Sequence, residues 1–329
     1  MSNIRMLNKN PLTKIEIDQI SNEPGRFSMS YGFDNSELIK SISQVGIINN
    51  PYVYRNAEGI IEIVTGFRRI LALKELGIKV IDCFDLTYSG MSPLDMLKFA
   101  IYDNLSTRNF NLVEKSIILN NLISLVNNID SIIEFISLLN VNIRDYELIL
   151  KIEGMDKSIK EPVSDGSLNI KALEHLFQLS TDNQLICVSW IDNLKLNYNQ
   201  QIQFIDYIAD ISRIEKIPIK NILNEQYYLN LLAADNKRNI PQKAKELLDN
   251  LRERRNPDYH KYQQIFEKKI RKLQLPKNIK IKHPRYFESE GYQVEIEFKN
   301  GSDLKKSLET LSGRVGLENI EDPWKNEKQ

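Results

Sequence analysis

The chain is poor in the residues that build stapled or turn-rich folds. Its 329 residues include two cysteines, three histidines, thirteen glycines and eleven prolines. Two cysteines cannot form a disulfide framework, and Cys83 and Cys187 stand far apart in sequence, so both are expected as buried thiols. His175, His260 and His283 share no ligand spacing, which removes the usual zinc patterns. Few Gly and Pro mean few turns, and the chain is expected to be largely helical. No run approaches the roughly 18 apolar residues that span a bilayer. The N-terminal stretch MSNIRMLNKNPLTK lacks the apolar core of a signal peptide, so the expected location is the cytoplasm, with no membrane contact. A Walker loop and a G-x-S-x-G elbow are both missing.

What is present is a core-forming composition, 42% hydrophobic, with 44 Lys/Arg balanced by 44 Asp/Glu. A disordered chain would carry fewer apolar residues or a lopsided charge. The balance conceals a segregation: residues 237–285 hold sixteen Lys/Arg against five Asp/Glu. Such a span is read either as solvated helices or as a surface for nucleic acid.

Periodicity divides the chain into blocks and predicts an α+β protein. Residues 14–110 mix strand-like runs (PYVYR, IIEIVTG, KVIDCFDL) with helical patterns (SELIKSISQVG, RRILALKELG) that end in Gly46 and Gly77, as left-handed C-caps do. Residues 111–225 keep helical spacing almost throughout, with breaks at Asn127-Asn128, Asn140 to Asn142, Gly154 and Asp165-Gly166. A basic helical stretch, 226–276, follows. Residues 277–329 alternate the short strands KNIKIKHP and YQVEIEFK with helix SDLKKSLETLS, a small α/β unit whose polar tail WKNEKQ is expected to be disordered.

The most chemical segment is IIEIVTGFRRILALKELG. An apolar strand reaches Thr65-Gly66, and a helix starts at once with two arginines in its first turn, where cations oppose the macrodipole. An anion would compensate. Gly66 lets backbone approach a ligand, the helix N-terminus offers unpaired N–H groups, and Arg68 and Arg69 add fork-shaped donors suited to phosphate. The same pair also reads as an ordinary solvated or salt-bridged one.

Its neighbours bring a resemblance. Leu38-x-x-Ser41-Ile42-x-x-x-Gly46 with Pro51, then Gly66-x-Arg68-Arg69 with Ala72, then Asp103-Asn104 with Arg108 and Glu114, resemble in order and spacing the three N-terminal motifs of the ParB partition-protein family, within the ParB/sulfiredoxin-like superfamily. Phe67 stands where the family commonly has Glu, Pro51 falls one place late, Asp103 replaces Glu, and Arg108 falls one place late behind Thr107. Sulfiredoxin acts through a cysteine in its own turn, which this chain lacks.

The resemblance implies a ParB/sulfiredoxin-like α/β domain over 14–110, an all-helical middle domain with a helix-turn-helix over 111–225, and a C-terminal unit that dimerises. It implies a pocket for CTP, or another nucleoside triphosphate, with Mg. Gly66, Arg68 and Arg69 would contact phosphate, Asn104 and Arg108 would add polar contacts, and Asp103 would support the metal. Ser41 and Gly46 would shape the base side, and Arg26 would face the phosphates. The implied function is a nucleotide-gated DNA-binding protein of partition or related DNA regulation, nucleoid-associated, acting with a ParA-type ATPase. The alternatives are a CTPase, a nuclease or a nucleotide-dependent phosphotransferase on the same scaffold. A nuclease needs several converging carboxylates, and Asp103, Glu114 and Glu62 are the candidates.

For DNA, SIIEFISLLNVNIRDYELILKI fits a helix at 131–139, a turn at 140–142 and a recognition helix at 143–152. That segment offers Asn142, Arg144 and Lys151 against Asp145, Glu147 and Glu153. The basic span offers Lys268, Lys269, Arg271 and Lys272, with Tyr259, Tyr262 and Phe266 interleaved as either core or stacking platforms.

Overall fold

The computed structural model describes residues 12–125, 129–233, 238–284 and 291–320. They form a mixed protein with far more helix than strand, gathered into two compact units, 1–193 and 194–329. The boundary falls inside the block 111–225. The Asn127-Asn128 break and the tail 324–329 lie outside the described residues.

The first unit is built on β1 (Leu12–Glu16), β2 (Tyr52–Arg55), β3 (Ile61–Thr65) and β4 (Val80–Asp85), in the order β1-β4-β2-β3. The outer pairs are antiparallel and the central β2–β4 pair is parallel. Parallel neighbours require a crossover, which here contains β3 and α2 (Phe67–Glu75). Helix α1 (Ser36–Val45) packs on α2. Their apolar sides join Ile15, Ile63, Ile81 and Cys83 from the strands in one core. Burial pushes the Cys83 and Cys187 thiols up to about 12, so both are inert core residues.

Helices α3 (Pro93–Leu105), α4 (Leu112–Leu125), α5 (Ile129–Leu138), α6 (Tyr146–Ile152), α7 (Lys157–Ser164), α8 (Ile170–Leu176) and α9 (Thr181–Asn193) follow. Ser92 and Asp95 form a capping box at the start of α3, with Pro93 in its first turn. Helix α4 is the hub: it packs against α3, α5, α6 and α7, and Val113, Ile118, Leu119 and Leu122 are fully buried. Ser116 and Asn120 of α4 bind the end of α6, Asn120 Nδ2 donating to the Leu150 carbonyl at 3.0 Å and Glu153 N donating to Ser116 Oγ at 3.0 Å.

The segment read as a recognition helix from 143 becomes α-helical only at Tyr146. Asn142 accepts the Arg144 N–H at 3.0 Å, and this local bond holds Ile143–Asp145 in a tight 3₁₀ turn.

In the second unit, α10 (Tyr198–Glu215) packs along α13 (Ile240–Arg255), with α11 (Ile219–Leu223) and α12 (Gln226–Leu232) between them in sequence. Arg254 forks onto two carboxylates at once, reaching Glu215 at 2.7 Å through Nε and Nη2 and Glu225 at 2.7 and 2.8 Å through Nη1 and Nη2. Helix α14 (Pro257–Lys272) leads to the antiparallel pair β5 (Ile279–Lys282) and β6 (Gln293–Ile296) and to α15 (Gly301–Ser312). Tyr262 and Phe266 are core residues with Leu273 and Ile281, and Tyr259 packs against them. Phe266 stacks on Tyr292 with centroids 5.6 Å apart. The interleaved aromatics therefore belong to the interior.

Candidate functional site

The turn between β3 and α2 fixes the site. Gly66 adopts φ 93°, and a Cβ there would lie 3.0 Å from Pro51 Cβ and 3.1 Å from its Cα, so both backbone and space demand glycine. No side chain caps α2 and no acidic residue occupies its first turn. The amide groups of that turn have no intrahelical acceptor.

The first turn carries the two arginines. Arg68 donates through Nε to Asn35 Oδ1 at 3.2 Å and through Nη2 to the Asp34 carbonyl at 2.7 Å, and its guanidinium lies over the Phe33 ring at 4.9 Å. Arg69 donates to the Asn49 carbonyl and sits 3.8 Å from Asp103. Burial holds both guanidinium groups below the ordinary arginine value. For Arg68 the neighbouring Arg108 adds to the effect, and nearby carboxylates only partly oppose it. Both remain cations, but cations with less water and less opposite charge than they would take.

Across from the turn stands the end of α3. Asn104 Nδ2 donates to the Ala100 carbonyl at 2.8 Å, and its Oδ1 accepts from Arg108 Nε at 3.1 Å. Arg108 Nη1 donates to both oxygens of Glu114 at 2.7 Å. Glu114 is buried and also accepts the Tyr31 and Asn111 N–H groups, each at 3.1 Å. A residue read as a possible catalytic carboxylate is instead the anchor of Arg108.

These groups open on one cleft of about 760 Å³. Ser41, Gly46, Gly66, Arg68, Arg69, Asp103, Asn104 and Arg108 all line it, as do Ile47, Ile48 and the stacked pair Tyr52 and Phe84, with centroids 4.8 Å apart. Desolvation in this wall raises the Tyr52 hydroxyl above its ordinary value, with Asp103 adding to it. Arg26 is not part of the lining. Its guanidinium is drawn to Glu62 at 2.9 and 3.2 Å and lies against the Phe27 and Tyr54 rings. Glu62 is thereby engaged as well, and among the described residues lining the cleft Asp103 is the only carboxylate. Among the described residues no three His, Cys, Asp or Glu gather into a metal-holding group.

Sequence reasoning missed the aromatic wall of Tyr52 and Phe84 and two polar lining residues, Ser28 and Thr65. Ser28 and Thr65 are 6% and 3% exposed, and neither hydroxyl has a hydrogen-bond partner. Thr65 carried a signal, since it immediately precedes the glycine turn. Ser28 carried none.

The residues singled out for DNA lie elsewhere. Asn142 spends its side chain on the turn before α6, Arg144 is exposed there, and exposed Lys151 holds its ammonium 5.8 Å from the Phe177 ring centroid. Asp145 is paired with Lys171 at 3.1 Å, while Glu147 and Glu153 face solvent. On α14, Lys268, Arg271 and Lys272 are exposed and Lys269 is half-buried, with Arg271 paired to Glu267 at 3.2 Å. No described helix is long and apolar enough to cross a membrane.

No family model matches the chain, and neither does any curated protein. Among solved structures it is similar to the C-terminally truncated chromosome-partitioning protein ParB from Caulobacter crescentus complexed with CTP-γ-S. The identity is 15% over 55% of this chain and 98% of that one, with a TM-score of 0.26. The same ParB complexed to the centromeric parS site gives 14% identity over 58% and 96%, with a TM-score of 0.32. A Pnob8-like ParB-N domain gives 13% over 72% and 98%, also with a TM-score of 0.32.

Proposed function

We propose that the cleft of the first unit binds a nucleoside triphosphate, and that its occupancy controls how a dimer of the chain engages DNA. The observation that carries this reading is the convergence of Arg68, Arg69 and Arg108 on the uncapped start of α2, with one carboxylate among the described lining residues. Arg68 and Arg69, whose burial is only partly offset by nearby carboxylates, are stabilised by an arriving polyanion, to which Arg108 and the amides of the turn add directed bonds. The aromatic wall of Tyr52 and Phe84 and the apolar loop at Ile47 and Ile48 supply the surface that a base and sugar require.

The donor set suits a hard cation. Asp103 is 40% exposed at the cleft, and one carboxylate together with substrate phosphate oxygens and water is the ordinary company of Mg²⁺. Mg²⁺ held there would neutralise phosphate charge. The preference for cytidine comes from the resemblance of the three motifs to those of ParB proteins. The site reads as one for binding. Phe67 occupies the turn position where a carboxylate could stand, and Glu62 and Glu114 are committed to arginines, so nothing favours a two-metal nuclease.

Occupancy has a physical route to the helices. Arg108 lines the cleft and is anchored on Glu114, which also holds the Tyr31 backbone and sits at the start of α4, the hub of the helical block. An anion that draws Arg108 changes the load on that carboxylate. For DNA, the turn and helix carrying Asn142, Arg144 and Lys151 would supply one contact. The exposed cations of α14, Lys268, Arg271 and Lys272, would supply phosphate contacts with Lys269 beside them. Dimerisation through residues from about 277 onward, a ParA-type ATPase partner and nucleoid association extend the reading on the resemblance alone.

Calorimetric titration of the full chain with each of the four ribonucleoside triphosphates and Mg²⁺, with and without duplex DNA, tests this. Saturable binding with CTP preferred is expected. Binding of none of the four overturns the reading.

A further inference from the structure

The cleft contains more polar demand than the arginine turn accounts for. Ser28 Oγ and Thr65 Oγ1 are both shut off from solvent and have no hydrogen-bond partner, although both residues line the cleft. They reach it from different parts of the chain. Thr65 is the last residue of β3, one position before the glycine turn, and Ser28 belongs to the loop that leads from β1 toward α1.

An unpaired buried hydroxyl costs the empty protein free energy, because it has given up water and received nothing. At either position a smaller or apolar side chain would remove that penalty. Alanine in place of Ser28, or isosteric valine in place of Thr65, would suit the neighbouring core of Phe27, Met29, Val64 and Ile63. Two such hydroxyls on one cleft, beside three arginines and an uncapped helix, form a set of bonding groups awaiting a partner. A hydroxyl both donates and accepts, so it answers phosphate oxygen, ribose hydroxyl or base edge alike.

We infer that Ser28 and Thr65 are ligand-contacting, affinity-determining residues of this cleft, with hydroxyls that turn about χ1 toward the cleft and gain their partners only when the nucleotide is bound. The inference rests on the nucleotide reading of the site and adds two contacts that the resemblance to ParB motifs does not include. It also has a signature that an ordinary structural hydroxyl lacks: removing the group leaves the empty protein as stable or more stable, yet weakens the bound state.

The test compares wild type with Ser28→Ala, Thr65→Val and Thr65→Ser. The full chain is melted without ligand, then titrated with the triphosphate that wild type prefers and, separately, with inorganic tripolyphosphate, both with Mg²⁺. Ser28→Ala and Thr65→Val are expected to melt no lower than wild type and to bind the nucleoside triphosphate at least five-fold more weakly. Thr65→Ser, which keeps the hydroxyl, should bind within about two-fold of wild type. A loss seen with both ligands assigns the hydroxyl to phosphate, and a loss confined to the nucleoside triphosphate assigns it to sugar or base. Affinity within two-fold of wild type for both Ser28→Ala and Thr65→Val overturns the inference. So does a clear drop in their unliganded melting temperature, which would mean that the hydroxyls are already bonded in the empty protein. A wild-type chain that binds no triphosphate at all sinks the nucleotide reading instead, a result read before any variant is made.

Discussion

Two groups of arginine in this molecule are made of the same side chain and stand in opposite electrostatic conditions. Arg254, in the second unit, has two carboxylates forked onto it, and these bonds raise its pKa above the ordinary arginine value. Arg68 and Arg69, in the first, are held below it by burial, with only partial relief from Asp34, Glu114 and Asp103. The first arrangement is complete and holds α10, the start of α12 and α13 together. The second is incomplete. The difference separates a cation that stabilises a fold from one kept for something that arrives later, and it is visible only when each arginine is weighed with its partners.

The largest effect is expected when the incomplete pair is removed. The double variant Arg68→Ala, Arg69→Ala loses two charge-assisted contacts worth about 1.5–3 kcal/mol each. Triphosphate affinity should fall by about a hundred-fold or more in calorimetric titration, while the unliganded chain stays folded. Equal affinity would show that the arginines merely decorate the cleft.

The complementary change gives the opposite pattern. Arg254→Ala leaves Glu215 and Glu225 facing each other without their shared cation. Because the cluster is partly exposed, the expected loss is about 2 kcal/mol of folding stability, read as a lower urea midpoint, with triphosphate affinity unchanged. A smaller effect follows from pH. Hydrogen bonds from Arg254 hold the Glu215 carboxyl below its ordinary value of 4.5. A carboxylate depressed in the folded state stabilises above its unfolded value and loses that contribution as pH falls through the folded one. The advantage of wild type over Arg254→Ala should therefore shrink below about pH 4.5 in urea titrations.

The smallest expected effect concerns cations that belong to neither class, those exposed along α14. Changing Lys268, Lys269, Arg271 and Lys272 to Gln should flatten the salt dependence of DNA binding by about one to three units of slope, with Arg271 contributing least because Glu267 already pairs with it. An unchanged slope moves the contact away from this helix.

Much of the cleft was legible because its key turn is local. A strand, a glycine that must be left-handed, and a helix with misplaced cations all lie within twelve residues, and the sequence states each of them. Asn104 and Arg108 came through the spacing of the resemblance, and the structure brings them onto the same wall. The rest depended on distant partners. The resemblance placed Arg26 toward the phosphates, whereas the group that holds its guanidinium, Glu62, lies 36 residues away in sequence. Glu114 looked like a spare acid until Arg108 and the backbone of Tyr31 claimed it. Ser28 was illegible, and Thr65 was marked only by its place before the glycine, for a related reason: an unsatisfied hydroxyl is a property of everything that fails to surround it, and no local pattern encodes that. The helix expected from 143 was shortened by one side-chain-to-backbone bond from Asn142, a competition that helical periodicity does not register.

The chain's only two sulfhydryl groups, Cys83 and Cys187, are both sealed in the interior with pKa values near 12. At neutral pH about one in 10⁵ of such groups is the reactive anion, and even that fraction is screened from reagents. The native protein is therefore close to invisible to maleimide chemistry. A single cysteine introduced at exposed Tyr88 would be the one labelled position, without either native cysteine having to be replaced first. A fluorophore or spin label attached there could follow the chain through nucleotide addition and DNA capture, and between two copies as a measured distance, in a molecule whose own thiols stay silent.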